Sequence, residues 1–163
     1  MNYIPVSQLG ERPLISILST IFHELPDGVI SGAGADDCAV IDINESSYLV
    51  VTTDMLHRMT DFPKQMSPWQ IGWMSAAVNL SDIAAMGARP TGLLAAIGLP
   101  RDTDVSFVEE IARGMRDCTR KYDTAVIGGD IDTHDELTIC GTALGTVSKG
   151  ELLTRKGARV GDK

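Results

Sequence analysis

Val78-Asn79-Leu80-Ser81-Asp82-Ile83-Ala84-Ala85-Met86-Gly87-Ala88 is an apolar run that carries one carboxamide and one carboxylate three residues apart. At helical periodicity Asn79 and Asp82 share a face. From Trp69 to Met86 the chain is apolar almost all the way round, the pattern of a helix buried on most sides. A carboxylate there has to be paired, protonated or bound to a metal. Ser67 as N-cap, Pro68 at N1 and Gly87 just past the end bound this helix, predicting it over Pro68–Met86. Aspartates beside small residues recur at Ala35-Asp36-Asp37, Thr52-Thr53-Asp54 and Gly128-Gly129-Asp130, and all four places are expected to converge. The plainer reading of Asp82 is a loop cap or an arginine partner.

Outward from this helix the chain reads as α, β, β, α, β, α, β, β, an α+β pattern with a mainly antiparallel sheet packed by helices. An amphipathic first helix is expected over Arg12–Glu24, ended by Pro26-Asp27-Gly28. Ser31 to Asp37 is a loop of small residues closing on two acids; it has neither a P-loop nor a full dinucleotide fingerprint. Cys38–Ile43 and Ser47–Thr53 form a hairpin. Facing Asn44 with Ser47 across a two-residue turn sets Asp37 opposite Asp54. Two such carboxylates about 5 Å apart repel by roughly 3 kcal/mol at an effective dielectric of 20, which invites a cation. Buried strands are expected at Thr91–Leu99 and Thr124–Ile127, and a second amphipathic helix at Asp104–Tyr122. Leu137–Val147 is a long strand in which Gly141 and Gly145 mark bulges or bends.

Bulk composition narrows the function. The 163 residues suffice for one domain with a sizeable core, and 44% hydrophobic with 22% charged residues is ordinary for a globular protein. A net charge of −8 and a pI near 4.7 exclude a basic nucleic-acid footprint. Cys38, Cys118 and Cys140 are odd in number and set among apolar or small neighbours, as in reduced cytosolic proteins. No secretory leader or membrane span is legible, so a cytoplasmic location is expected.

Four aspartate sites without clustered His or Cys favour a hard cation on oxygen ligands, Mg²⁺ over zinc. Carboxylate-held Mg²⁺ would hold phosphates, with Arg155 and Lys156 neutralising a transferring phosphoryl group. Residue types and spacing carry the reading to an Mg²⁺-phosphate site and no further.

Asp36-Asp37-Cys38-Ala39-Val40, Thr52-Thr53-Asp54-Met55-Leu56, the 78–88 run, Ile127-Gly128-Gly129-Asp130 and Leu153-Thr154-Arg155-Lys156-Gly157-Ala158 occur in an order that resembles the thiamine-monophosphate kinase family. The match is to its amino-terminal domain, within the aminoimidazole ribonucleotide synthetase-like superfamily. The resemblance implies a PurM-like domain forming a shared barrel in a homodimer through the sheet. It further implies ATP- and Mg²⁺-dependent phosphorylation of thiamine monophosphate to thiamine diphosphate. On the family pattern Asp37, Asp54, Asp82 and Asp130 are Mg²⁺ ligands, more than one ion being implied, with Thr53 beside them. Gly129 and Arg155 contact the nucleotide, and no further catalytic side chain is needed. Beside that pattern, Asp36 and Asn79 are candidate supports of the ligands, Asn79 either orienting Asp82 or binding nucleotide. Asp61 stands where many bacterial members have a substrate-contacting His, and Ala35 where Gly is common. Residues 1–150 then form the ATP- and Mg²⁺-binding domain and 151–163 a linker toward a second domain absent from this chain. A hydrogenase-maturation protein, a selenophosphate synthetase, or a non-catalytic dimerisation module remain the alternatives.

Overall fold

In the computed structural model, which describes residues 4–156 and 158–162, a six-stranded sheet carries the long helix Pro68–Ala85, against which a second long helix, Val105–Lys121, is packed. Gly157 of the Leu153–Ala158 motif and the terminal Lys163 of the expected linker lie outside the described residues. The elements are α1 (Val6–Leu9), α2 (Glu11–Ile21), β1 (Val29–Ser31), β2 (Ala39–Asp42), β3 (Ser47–His57), α3 (Pro68–Ala85), β4 (Arg89–Leu99), α4 (Val105–Lys121), β5 (Val126–Thr133) and β6 (Thr138–Ser148). The sheet order is β1-β2-β3-β6-β4-β5, antiparallel except for the parallel β4–β5 pair. The α+β architecture therefore stands as expected; α1, β1 and the full length of β5 were not legible in the sequence.

Helix α3 begins as the sequence dictates. Ser67 and Gln70 form a reciprocal capping box, Pro68 sits in the first turn, and Gly87 takes a left-handed φ of 69° at the exit, where Ala88 N–H donates back to Ile83 O at 3.1 Å. Ile71, Ala76, Leu80 and Ile83 are buried between the sheet and α4. Two glycine pairs bring the layers together. A Cβ on Gly141 or Gly145 of β6 would strike Asn79 and Ile83 of α3, and one on Gly72 or Gly114 would land 1.9 Å from a backbone oxygen of the facing helix. Gly141 and Gly145 are thus seats for a helix; the β3–β6 register runs unbroken from Ser47↔Ser148 to His57↔Thr138, while on the other side the β4–β6 register shifts between Pro90 and Gly92, opposite Gly145 and Leu144, so an irregularity falls at Gly145 and none at Gly141.

The hairpin register also differs from expectation by one residue. Asn44 Oδ1 accepts from Ser46 N, Ser46 Oγ and Ser47 N at 2.9–3.0 Å, closing a three-residue loop, and the pairs run Ala39↔Val51 to Asp42↔Tyr48. Continuing that register sets Asp37 level with Thr53, so the hairpin does not place Asp37 opposite Asp54. Helix α2 is amphipathic as expected, but no residue in it is buried; Ile15, Leu18 and Ile21 remain exposed above the Gly32–Gly34 loop.

Candidate metal and phosphate site

Strand alternation decides what meets helix α3. Val50, Thr52 and Asp54 share the helix-facing side of β3. Thr52 Oγ1 donates to Asp82 Oδ2 at 2.8 Å and also lies 3.2 Å from the carbonyl oxygen of Asp37. The Asp54 N–H donates to Asn79 Oδ1 at 3.1 Å, and Asn79 Nδ2 donates to Ser75 O at 3.0 Å. One hydroxyl and one carboxamide therefore join the loop before β2, strand β3 and helix α3 at a single place.

The tail is drawn to the same place. Leu153 N–H donates to Met86 O at 3.1 Å, which ties the chain to the end of α3. Arg155 follows: its backbone N–H donates to Asp36 Oδ2 at 3.0 Å, its Nε lies 3.7 Å from Asp36 Oδ1, and its Nη2 pairs with Asp37 Oδ1. Asp36 also accepts the Asp37 N–H at 3.0 Å, and its side chain is only 5% exposed.

Electrostatics mark this corner as strongly negative. Burial, and then the Asp82 carboxylate, hold the Asp54 carboxyl above its ordinary value. The buried Cys38 thiol is pushed up to about 12, first by burial and then by Asp82 and Asp37. Among the described residues neither Asp54 nor Asp82 has a Lys or Arg partner, whereas Asp36 and Asp37 share Arg155. Asp54 and Asp82 are like charges held together by neutral groups.

The remaining candidates fall elsewhere. Thr53 points to the other face of the sheet, where Oγ1 donates to Gly141 O at 2.7 Å. Thr52, two residues before Asp54 and hence on its face, was the threonine that the alternation pattern could have singled out. Asp61 closes its own loop: Oδ2 accepts from His57 N at 2.7 Å and Thr60 Oγ1 at 2.8 Å, bonds that hold its carboxyl below the ordinary value. Asp130 lies on the sheet-edge strand β5 level with Ala96, three strands from β3, roughly 14 Å at normal strand spacing. The expected convergence of all four aspartates is therefore limited to the loop, β3 and α3. Gly129, with φ 154°, is required by strand packing itself, since a Cβ there would fall 1.9 Å from Ala95 O.

What the corner can do follows from its donor set. Among the described residues no three His, Cys, Asp or Glu side chains gather as a ready-made metal cage. Two carboxylates, a hydroxyl and nearby carbonyls are all hard oxygen donors. They fit a cation of the magnesium type, which takes one or two carboxylates and completes its shell with water and phosphate oxygens. Arg155, exposed at the rim, adds a planar cation suited to phosphate.

Residues 35–147 match the family model described as AIR synthase related protein, N-terminal domain. Over 154 residues the chain is 48% identical to thiamine-monophosphate kinase of Methanospirillum hungatei, covering 94% of this chain and 50% of that protein. It is 37% identical over 155 residues to the thiamine-monophosphate kinase of Methanocaldococcus jannaschii, covering 94% and 47%. The solved structure of AaThiL complexed with AMPPCP and TMP superposes with a TM-score of 0.85 at 29% identity, covering 98% of this chain and 48% of that one. The chain thus spans about half the length of the curated relatives it matches. With its Asp36-Asp37, Thr52-Thr53-Asp54 and 78–88 stretches all inside the matched region, it belongs to the family of AIR synthase related proteins, N-terminal domain.

Proposed function

We propose that this chain is the nucleotide- and metal-binding part of a kinase that uses ATP and Mg²⁺ to phosphorylate thiamine monophosphate to thiamine diphosphate. The observation that carries the reading is the Asp54–Asp82 pair, held together by neutral groups with no Lys or Arg partner among the described residues and with Arg155 at the rim. The relatives named thiamine-monophosphate kinase, and the AaThiL complex with AMPPCP and TMP, support the substrate class.

When bound, Mg²⁺ would neutralise phosphate charge and hold the transferring group in line. The chain's own residues bind and orient. Asp54 and Asp82 hold the ion, with Asp37 and the Thr52–Thr53 segment beside them. Arg155 exchanges its hold on Asp37 for a nucleotide phosphate. Asp130 and Gly129 serve further along the nucleotide on β5. The acceptor phosphate is already a nucleophile, so catalysis is alignment and charge neutralisation. Residues 1–150 form the binding domain, and the tail from Glu151 leads to a second domain while setting Arg155 in place. The open sheet face, with Met55 59% exposed on β3 and Leu94 38% exposed two strands across on β4, is the surface on which two copies join. Among the described residues no helix is long and apolar enough to cross a membrane.

The test is calorimetry of the full chain with Mg²⁺ and a non-hydrolysable ATP analogue, for the wild type, Asp54→Asn and Asp82→Asn. Metal-dependent binding in the wild type that is lost in both variants is expected. Equal binding by all three proteins would remove the assignment.

A further inference from the structure

Asn79 is 1% exposed, yet every polar atom of its side chain is in use, and each for a stated purpose. Its oxygen accepts the Asp54 N–H at 3.1 Å and its nitrogen donates to Ser75 O, one turn earlier in α3, at 3.0 Å. The reverse orientation would set NH₂ against N–H and oxygen against oxygen, so the pairing fixes which way the amide faces. Strand β2 stops pairing at Ala39↔Val51, leaving β3 without that neighbour where Asp54 lies. On the other side, Asn79 occupies the space a side chain at position 141 would take: a Cβ on Gly141 would sit 2.2 Å from Asn79 Nδ2 and 2.8 Å from Cγ.

We infer that Asn79 is a positioning residue that sets the separation of the Asp54 and Asp82 carboxylates, with Gly141 keeping open the space its carboxamide needs. Asp82 is three residues after Asn79 on the same face of α3. One turn of helix therefore holds both ends of the pair, Asp82 through its own side chain and Asp54 through the backbone amide that Asn79 clamps. The carboxamide suits this role because it is neutral. A lysine or arginine would occupy the carboxylates in place of a cation, and an aspartate would add a third negative charge to a buried corner where burial and Asp82 already act on Asp54. This inference rests on the metal-binding reading of the pair.

The test uses Mn²⁺ alone as the probe, followed by electron paramagnetic resonance on the full chain without nucleotide. Asn79→Ser is the informative substitution: its hydroxyl is too short to reach Asp54 but can bond back to Ser75 O, so α3 keeps its own hydrogen bonds. Loss of a group that orients a metal ligand lowers affinity by roughly 10- to 100-fold, and a fall of that order is expected. In an Asp54→Asn background, read as the weaker Mn²⁺ binding that Asp82 retains at millimolar metal, the same substitution should produce no further loss, a non-additivity that a merely structural asparagine would not show. Gly141→Ala should reproduce the loss, and it carries the test if Asn79→Ser does not fold. Wild-type Mn²⁺ affinity in both single variants, or additive losses with Asp54→Asn, would overturn the inference while leaving the metal site standing. A wild-type chain that takes up no Mn²⁺ would overturn the metal reading and this inference together.

Discussion

Gly114→Ala puts two physical rules in opposition. Gly114 lies inside the helix Val105–Lys121, where an alanine is worth about 1 kcal/mol more than glycine by helix propensity alone. The contact with α3 opposes this. A Cβ at position 114 would stand 1.9 Å from Trp69 O, 2.8 Å from Trp73 N and 2.9 Å from Trp69 C, and the reciprocal position, Gly72, meets Ile111 O at 1.9 Å. All of these are backbone atoms, so no rotamer change relieves the clash and the helices must part by roughly 1 Å in a close-packed interior. Overpacking of this kind costs about 1–3 kcal/mol, and with backbone on both sides the upper end applies. Set against the propensity gain, the net loss is about 2 kcal/mol. For a chain of this size that lowers Tm by roughly 4–8 °C. Thermal unfolding followed by circular dichroism, with Gly150→Ala as control, measures it; a Cβ on Gly150 meets nothing within 4 Å. An unchanged or raised Tm for Gly114→Ala would refute the argument that backbone contact governs this crossing.

Two further outcomes follow from the charges and thiols. Asp54 has a folded pKa raised above its unfolded value of 3.8, so the folded state binds its proton more tightly, and stability falls as pH rises from 3.8 through the folded value. Asp54→Asn should therefore stabilise the metal-free protein at pH 7, with a gain that shrinks as pH approaches 3.8; urea titrations in chelator at several pH values would show it, and a variant less stable than wild type at pH 7 would contradict it. Among the cysteines, Cys38 and Cys118 are buried with thiols pushed up by burial, while Cys140 is partly exposed on the open sheet face. Because Cys140 lies opposite Met55 on the face proposed to join two copies, a disulfide reagent at pH 8 should label it faster as the native protein is diluted, and should label all three thiols after unfolding; rapid native labelling of Cys38 would show that the acidic corner is open to solvent.

Much of the architecture was legible because its signals are local. The Ser67–Gln70 capping box, Pro68, Gly87 and the apolar run between them are sequence-adjacent groups whose energetics do not depend on the rest of the chain, and α3 obeys them to within a residue. The register of the hairpin was not legible, because the Asn44 side chain chose a three-residue closure over a two-residue turn of similar composition. Strand β5 reads from the sequence as a short buried strand at Thr124–Ile127; it runs Val126–Thr133 and is exposed along its whole length, because it is the edge strand of the sheet.

By itself the sequence determined the composition class, the buried helix with its two polar residues, and the aspartates set beside small residues. Those follow from residue types and short spacings. Only the tertiary structure decided that Thr52 and not Thr53 meets Asp82, that Asn79 clamps Asp54, that Arg155 closes on Asp36 and Asp37, and that Asp130 stands three strands away. Each of these depends on which strand lies beside which and on the face that pleating turns toward the helix, and contacts between residues 25 to 119 positions apart are set by packing, which no short stretch of chain encodes.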